Sequence, residues 1–389
     1  MPMKSAALLS TLLVLLTSPP IDPQTPEASR AISLEQVGDL PGAEKAWRAV
    51  TTDNPRDAGA FASLGVVLSK EEKYPEAASA YRRALALNPH LSGIPLDWGL
   101  AEFKQGHFLE AIPPLKVAQR ADPASEQVGI LLGMANFGAG KFQDAIPYLQ
   151  SAVVKSPDNL ELRGVLAQSC LNAKQFDCAL EQYRQILTAN PDSAQAHMLL
   201  GEALDGLKLR EQAISEFQAA EKAAPGEPNV HFGLGYLLWA KRQDADAAAE
   251  FQAELKNNPS HAQALTYLAD VDIRMSHPEA AVPLLEKAIQ IDPGLALAHL
   301  DLGILYADAD RQNDALRELK VAAKLAPEDV NVHWRLGRLY RAMGKKEEAK
   351  AEFDKASGIT KAADNALIDK MNGAHAQPVQ APQPAAAEK

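Results

Sequence analysis

The chain has 389 residues, a net charge of −11 and a pI near 5.4, with acidic and basic residues interleaved throughout. It carries no basic block or stripe, which argues against nucleic acid as a partner. Two cysteines are too few for a disulfide framework or a zinc site, and low aromatic content beside abundant alanine suits closely packed helices.

At the N-terminus Lys4 precedes an apolar run from Ala6 to Leu16, followed by Thr17, Ser18, Pro19 and Pro20. A positive start and a run of this length read as an export signal, and the run is too short to span a bilayer as a helix. Residues 1–23 are therefore expected to be an export signal and short linker, placing the protein in a periplasmic or extracellular space. No A-x-A precedes the prolines and there is no lipobox cysteine, so an uncleaved, membrane-associated end is the alternative. An apolar cap on the following helices is disfavoured by Pro19, Pro20 and Pro23, which break helix continuity.

Beyond this segment one period governs the chain. Pro55, Pro89, Pro123, Pro157, Pro191, Pro225, Pro259, Pro293 and Pro327 are each 34 residues apart. The stretch Ala58–Leu91 holds Phe61, Leu64, Gly65, Leu68, Ala77, Tyr81, Ala84 and Pro89, and this set returns nearly to the end. A fixed period of this size marks a repeat array, in which each unit contacts mainly its neighbours. The spacing and residues resemble the tetratricopeptide repeat. The resemblance implies an all-α fold, a right-handed α-solenoid superhelix of antiparallel helix pairs, A and B. Ten repeats are expected at 24–57, 58–91, 92–125, 126–159, 160–193, 194–227, 228–261, 262–295, 296–329 and 330–363.

The first repeat keeps Ala43, Trp47 and Pro55 but lacks the usual leucine-glycine pair, as a terminal repeat with one uncovered face does. Repeats 58–91, 194–227 and 330–363 are regular: Leu64-Gly65, Leu200-Gly201 and Leu336-Gly337 in helix A, then Ala77, Ala213 and Ala349, then Tyr81, Phe217 and Phe353 in helix B. A small residue lets two helix backbones approach, and the aromatic fills the wedge between successive pairs. Pro95 falls in the first turn of a helix A, where proline is tolerated, whereas Pro113 and Pro114 fall inside a helix B and should bend it. Lys361 replaces the closing proline of the last repeat, so the chain should run on as helix. Residues 364–372, with Leu367, Ile368 and Met371 on one face, are expected to cap the array, and residues 373–389 form an Ala/Pro/Gln-rich tail expected to be disordered.

The resemblance also implies a ligand face. In this family helix A positions 2, 5, 9, 12 and 13 line the concave surface. Carried over, they present Leu96, Leu100 and Phe103; Ile130, Met134 and Phe137; and Asn229, Phe232, Tyr236 and Trp239. Packing against neighbouring helices is the alternative for these apolar side chains. Between these sets the face turns polar, with Glu161, Gln168, Asn172, Gln195, Glu202, Asp205, Gln263, Asp270 and Arg274. The carboxylate clamp of chaperone-binding relatives is missing. Only the last repeat offers a basic set, Arg338 and Arg341 beside Asn331 and Trp334.

Cys170, late in one helix A, and Cys178, early in the following helix B, could meet across the turn. In an exported protein they would form a disulfide; otherwise they are two buried thiols. His197, His231, His299 and His333 share one position of their repeats. Equivalent positions on successive repeats do not converge, so packing is expected and a metal is not. Gly138-Ala139-Gly140-Lys141 lacks the first glycine and the Ser/Thr of a phosphate loop, and Asp308, Asp310 and Asn313 lack the glycine and glutamate of a calcium loop.

The expected function is therefore a protein-interaction scaffold that binds a partner protein or peptide in its groove, with neither cofactor nor metal. Fewer than 30 residues follow the last repeat, so a catalytic domain is not expected in this chain. An envelope-assembly or polysaccharide-export factor that contacts glycan, or a non-catalytic subunit of an enzyme complex, are the alternatives.

Overall fold

The computed structural model describes residues 25–374, so the expected export segment and the tail from residue 375 lie outside the described residues. Twenty α-helices follow one another there, from Pro26–Gln36 and Leu40–Asp53 to Val330–Ala342 and Lys346–Ala374. The chain divides into two compact units, up to Ala213 and from Ile214, and the division falls inside the helix Arg210–Ala223. Within each unit the architecture is an α-solenoid: helices pair across a short turn, and successive pairs stack.

The turns show why the sequence breaks where it does. Position 15 of every repeat has a positive φ, between +58° and +79°. Four of these residues are glycine (Gly38, Gly106, Gly140 and Gly344); six are Glu72, Lys174, Lys208, Arg242, Ser276 and Asp310. A left-handed residue after helix A lets the chain reverse while the next amide reaches back. Lys73 N donates to Leu68 O at 2.8 Å and Lys141 N to Asn136 O at 2.8 Å, satisfying carbonyls the helix end would leave open.

Helix A begins on a side-chain cap in most repeats. Asp57 accepts from Ala60 N at 2.9 Å and Asn159 from Leu162 N at 3.0 Å. Two helices start late: Gly93 and Asn229 hold positive φ, and the helices Ile94–Lys104 and Val230–Ala240 begin after them. Pro95 thus sits in a first turn. Pro113 and Pro114 are carried inside the helix Phe108–Ala121 without ending it.

The close approach expected at the Leu-Gly pair is real, and its partner is specific. A Cβ on Gly65 would lie 2.5 Å from the Tyr81 ring, and one on Gly337 would lie 2.8 Å from the Phe353 ring. Each ring therefore lies on the glycine of its own repeat, so A and B pack at backbone distance. The equivalent ring Phe251 lies on Gly235 and also reaches the next pair, stacking on Tyr267 with centroids 5.8 Å apart. Residues 364–372 continue the helix Lys346–Ala374 without a break, and the Ile368 side chain is 52% exposed there.

Candidate functional site

In the first unit, the helix A side chains anticipated for ligand contact are largely occupied. Leu100, Phe103 and Met134 are each 8% exposed, while Leu96, Ile130 and Phe137 are half-buried. Phe103 packs edge-on against Phe108 at 5.3 Å, and Phe137 against Phe142 at 5.8 Å, each across the turn of its own repeat. Phe108 in turn fills the space over Gly138, where a Cβ would lie 2.5 Å from its ring. These phenylalanines close the turn end of the helix pairs and leave little open apolar surface.

The second unit differs. Tyr236 is exposed and Trp239 half-buried, their rings stacked at 5.7 Å. Tyr267 of the next repeat stands edge-on to both, 5.5 Å from Tyr236 and 4.9 Å from Trp239. Phe232 extends the group, 6.0 Å from Tyr267 and 4.7 Å from the His261 ring. Polar residues hold this cluster in place. Trp239 Nε1 donates to Asp270 Oδ2, Arg274 lies 5.2 Å over the Trp239 ring, and Arg274 also pairs with Asp244 at 2.8 Å. An indole fixed by a carboxylate on one edge and a guanidinium on one face has few alternative rotamers.

Asn229 does not stand inside helix A but just before it. Its Oδ1 accepts from His261 Nε2 at 2.9 Å, and His261 Nδ1 caps the next helix by accepting from Ala264 N at 3.1 Å.

Tyr267 and Asp301 were not among the anticipated site residues, because both occupy position 6, outside the ligand positions 2, 5, 9, 12 and 13. Tyr267 is half-buried and completes the aromatic group. Asp301 is buried beside Asp270, Arg274 and Arg335, and burial pushes its carboxyl up to about 8. Its Oδ2 has no hydrogen-bond partner. A charged residue type at a core position was the available signal. In the last repeat, Trp334 is 44% exposed with Arg338 4.9 Å over its ring and Arg335 at 5.6 Å. Arg341 lies 5.8 Å over Phe353, and Asn331 is exposed at the start of the same helix.

At the shared histidine position, two rings make the same pair of contacts. His299 Nδ1 lies 2.8 Å from Glu318 and its Nε2 3.1 Å from the Pro293 carbonyl; His333 makes the same pair to Glu352 (2.6 Å) and Pro327 (2.8 Å). Each ring ties helix A to helix B and to the preceding turn. His231 keeps the carboxylate, Glu250 at 2.7 Å, and gains a second, so that ligand atoms of Glu221, His231 and Glu250 fall within 4.8 Å of one another. Because the histidine–carboxylate contact recurs where no third group is present, it is a packing element of the repeat. Cys170 and Cys178 are joined in a disulfide, their Cα atoms 5.7 Å apart.

Family models described as tetratricopeptide repeat match residues 29–92, 96–159 and 232–296, and two others of that description match 136–204 and 330–362. The chain belongs to the tetratricopeptide repeat family. Among solved structures it is similar to the APC/C hetero-tetramer Cut9–Hcn1, at 15% identity over 86% of this chain and 81% of that one, with a TM-score of 0.51. A tetratricopeptide repeat protein from Parabacteroides merdae is 18% identical over 64% of this chain and 97% of its own, with a TM-score of 0.50. YrrB, described as a tetratricopeptide repeat protein with an unusual peptide-binding site, is 20% identical over 50% of this chain and all of its own, with a TM-score of 0.40. At these identities the likeness concerns the fold. Comparison with curated proteins finds no match. The tetratricopeptide repeat is a protein-interaction fold, and no helix among the described residues is long and apolar enough to cross a membrane.

Proposed function

We propose that this tetratricopeptide repeat protein is a non-catalytic scaffold that holds a partner protein or peptide against helices A of repeats 228–261 and 262–295, in an oxidising compartment outside the cytoplasm. The exposed Tyr236 ring, continuous with Trp239 and Tyr267, carries this reading. Aromatic anchors fixed before binding contribute contact area at little ordering cost, which is the physics of interface hot spots. The Cys170–Cys178 disulfide supports the compartment, since such bonds persist where thiols are not kept reduced. Binding of captured partners to the Tyr236→Ala variant tests the surface, because Tyr236 is exposed and its loss leaves the helix pairs packed.

A second reading rests on the same rings. The Tyr236 and Trp239 rings are stacked with their planes 26° apart, and the exposed Tyr236 ring offers a face on which a sugar could also stack. Titration with purified envelope glycan separates the two: saturable glycan binding that is lost in Tyr236→Ala favours the polysaccharide reading, and its absence favours a protein partner.

A further inference from the structure

Position 4 is histidine or arginine in five repeats and Glu27, Phe61, Pro95 or Leu265 in four others; only repeat 126–159 has no side chain there. In repeat 160–193 Arg163 takes the place of the histidine: its Nη1 donates to Gln182 Oε1 at 2.7 Å and its Nη2 to the Pro157 carbonyl at 2.9 Å. His197 Nε2 lies 2.9 Å from the Pro191 carbonyl, and His299 and His333 repeat the arrangement. In each case a planar nitrogen group from helix A fills a slot beside helix B and bonds the carbonyl of the preceding proline. In repeat 126–159 this position is Gly129, and a Cβ built there meets nothing within 4 Å. The residue opposite, where the histidine and arginine repeats have Glu or Gln, is Tyr148, whose hydroxyl donates to Gln119, another lining residue, at 3.3 Å. A cavity of about 640 Å³ occupies the vacated place, lined by Gly129, Tyr148, Pro123, Glu126, Asp144 and Lys155 among others. Side chains bond the carbonyls of Pro55, Pro157, Pro191, Pro225, Pro293 and Pro327, whereas the Pro123 carbonyl has no such bond among the described residues.

We infer that this cavity is a binding site for a planar N–H donor, an imidazole or guanidinium group supplied from outside the chain. The donor would occupy the slot that histidine or arginine fills elsewhere. Its N–H groups meet the Pro123 carbonyl and the Tyr148 hydroxyl oxygen; Glu126 and Asp144 face Lys116 and Lys155 across the lining, so the acceptors rather than a net charge select the donor. A small polar cavity with a few convergent acceptors is the usual form of such a site. It is separate from the aromatic surface of repeats 228–261 and 262–295, so either assignment can fail without the other.

The test is amide NMR of the intact protein titrated with 4-methylimidazole and with methylguanidinium chloride. Gly-His-Gly and Gly-Arg-Gly serve as the peptide-borne forms of the same groups, and toluene as an apolar control. Gly129→Ala leaves the slot open, while Gly129→His with Tyr148→Glu rebuilds the internal pair. The expected result is saturable shifts at the amides of position 129 and of Tyr148 in the wild type and in Gly129→Ala, with affinity at least about tenfold weaker in the double variant. Tighter binding of the tripeptides points to a partner's side chain, and tighter binding of the small molecules to a free metabolite. Shifts that do not saturate, equal binding by the double variant, or equal binding of toluene would each overturn the inference. Should the double variant fail to fold, wild-type shifts centred elsewhere do the same.

Discussion

Trp239 of one repeat donates its indole N–H to the Asp270 carboxylate of the next, and Arg274, paired with the same carboxylate at 3.3 Å, lies over the ring. This contact joins two adjacent helix pairs and fixes the largest aromatic side chain of the proposed binding surface. Asp270→Ala should leave the indole N–H unpaired and Arg274 with Asp244 alone. The expected outcome is a loss of about 1–2 kcal/mol in urea unfolding of the second unit, with a change in tryptophan emission. An unchanged midpoint and spectrum would show that Asp270 does not hold the ring.

Two buried carboxyls make stability depend on pH. Burial pushes Asp97 up to about 7 and Asp301 up to about 8, and each has a buried oxygen without a partner. The folded state therefore keeps protons that the unfolded chain releases near pH 4. Their contribution is fully present below about pH 4 and is lost as pH rises toward 7 to 8. Each should cost on the order of a few kcal/mol by pH 8, since a tenfold change in proton affinity is about 1.4 kcal/mol. Asp97→Asn and Asp301→Asn should flatten this decline and raise stability at pH 8. Urea titrations from pH 4 to 8 check the sign; a wild-type stability that rises across this range contradicts it.

Ser276 holds φ at +67° in the turn between helices A and B, where Gly38, Gly106, Gly140 and Gly344 stand in other repeats. A side chain in this conformation is strained by its own Cβ, and glycine relieves that at some entropic cost. Ser276→Gly should stabilise by about 0.5–1 kcal/mol, read as a raised thermal midpoint; a lowered midpoint would mean the serine side chain has a compensating role.

The Cys170–Cys178 disulfide closes a loop of sequence separation 8. Loop entropy assigns it roughly 2–3 kcal/mol. Protein purified from its native host without added reductant should show no free thiol after denaturation. Reduction should lower the unfolding midpoint of the first unit. Two titratable thiols in the native-host protein would remove the support for an oxidising compartment.

Most of the fold was legible because proline, glycine and the Leu-Gly pair act locally and recur at a fixed spacing. Phe103 and Phe137 were harder, because helix position alone does not say whether a ring faces a groove or folds across its own turn onto Phe108 or Phe142. Tyr267 and Asp301 escaped for the opposite reason: position 6 is not among the ligand positions carried over from the family, and only packing shows that Tyr267 stands beside Tyr236. The late start of the helix Val230–Ala240 depends on one left-handed Asn229, which spacing does not reveal.

The most direct measurement places a photo-crosslinking amino acid at Tyr236 and, in a second variant, at Ile291, an exposed residue of a helix B in the same unit. Each is expressed in the native host, irradiated, and its adducts identified by mass spectrometry. The scaffold account predicts a discrete set of protein adducts at position 236 that is weak or missing at 291. Equal adducts at both positions, or none at 236, would contradict it.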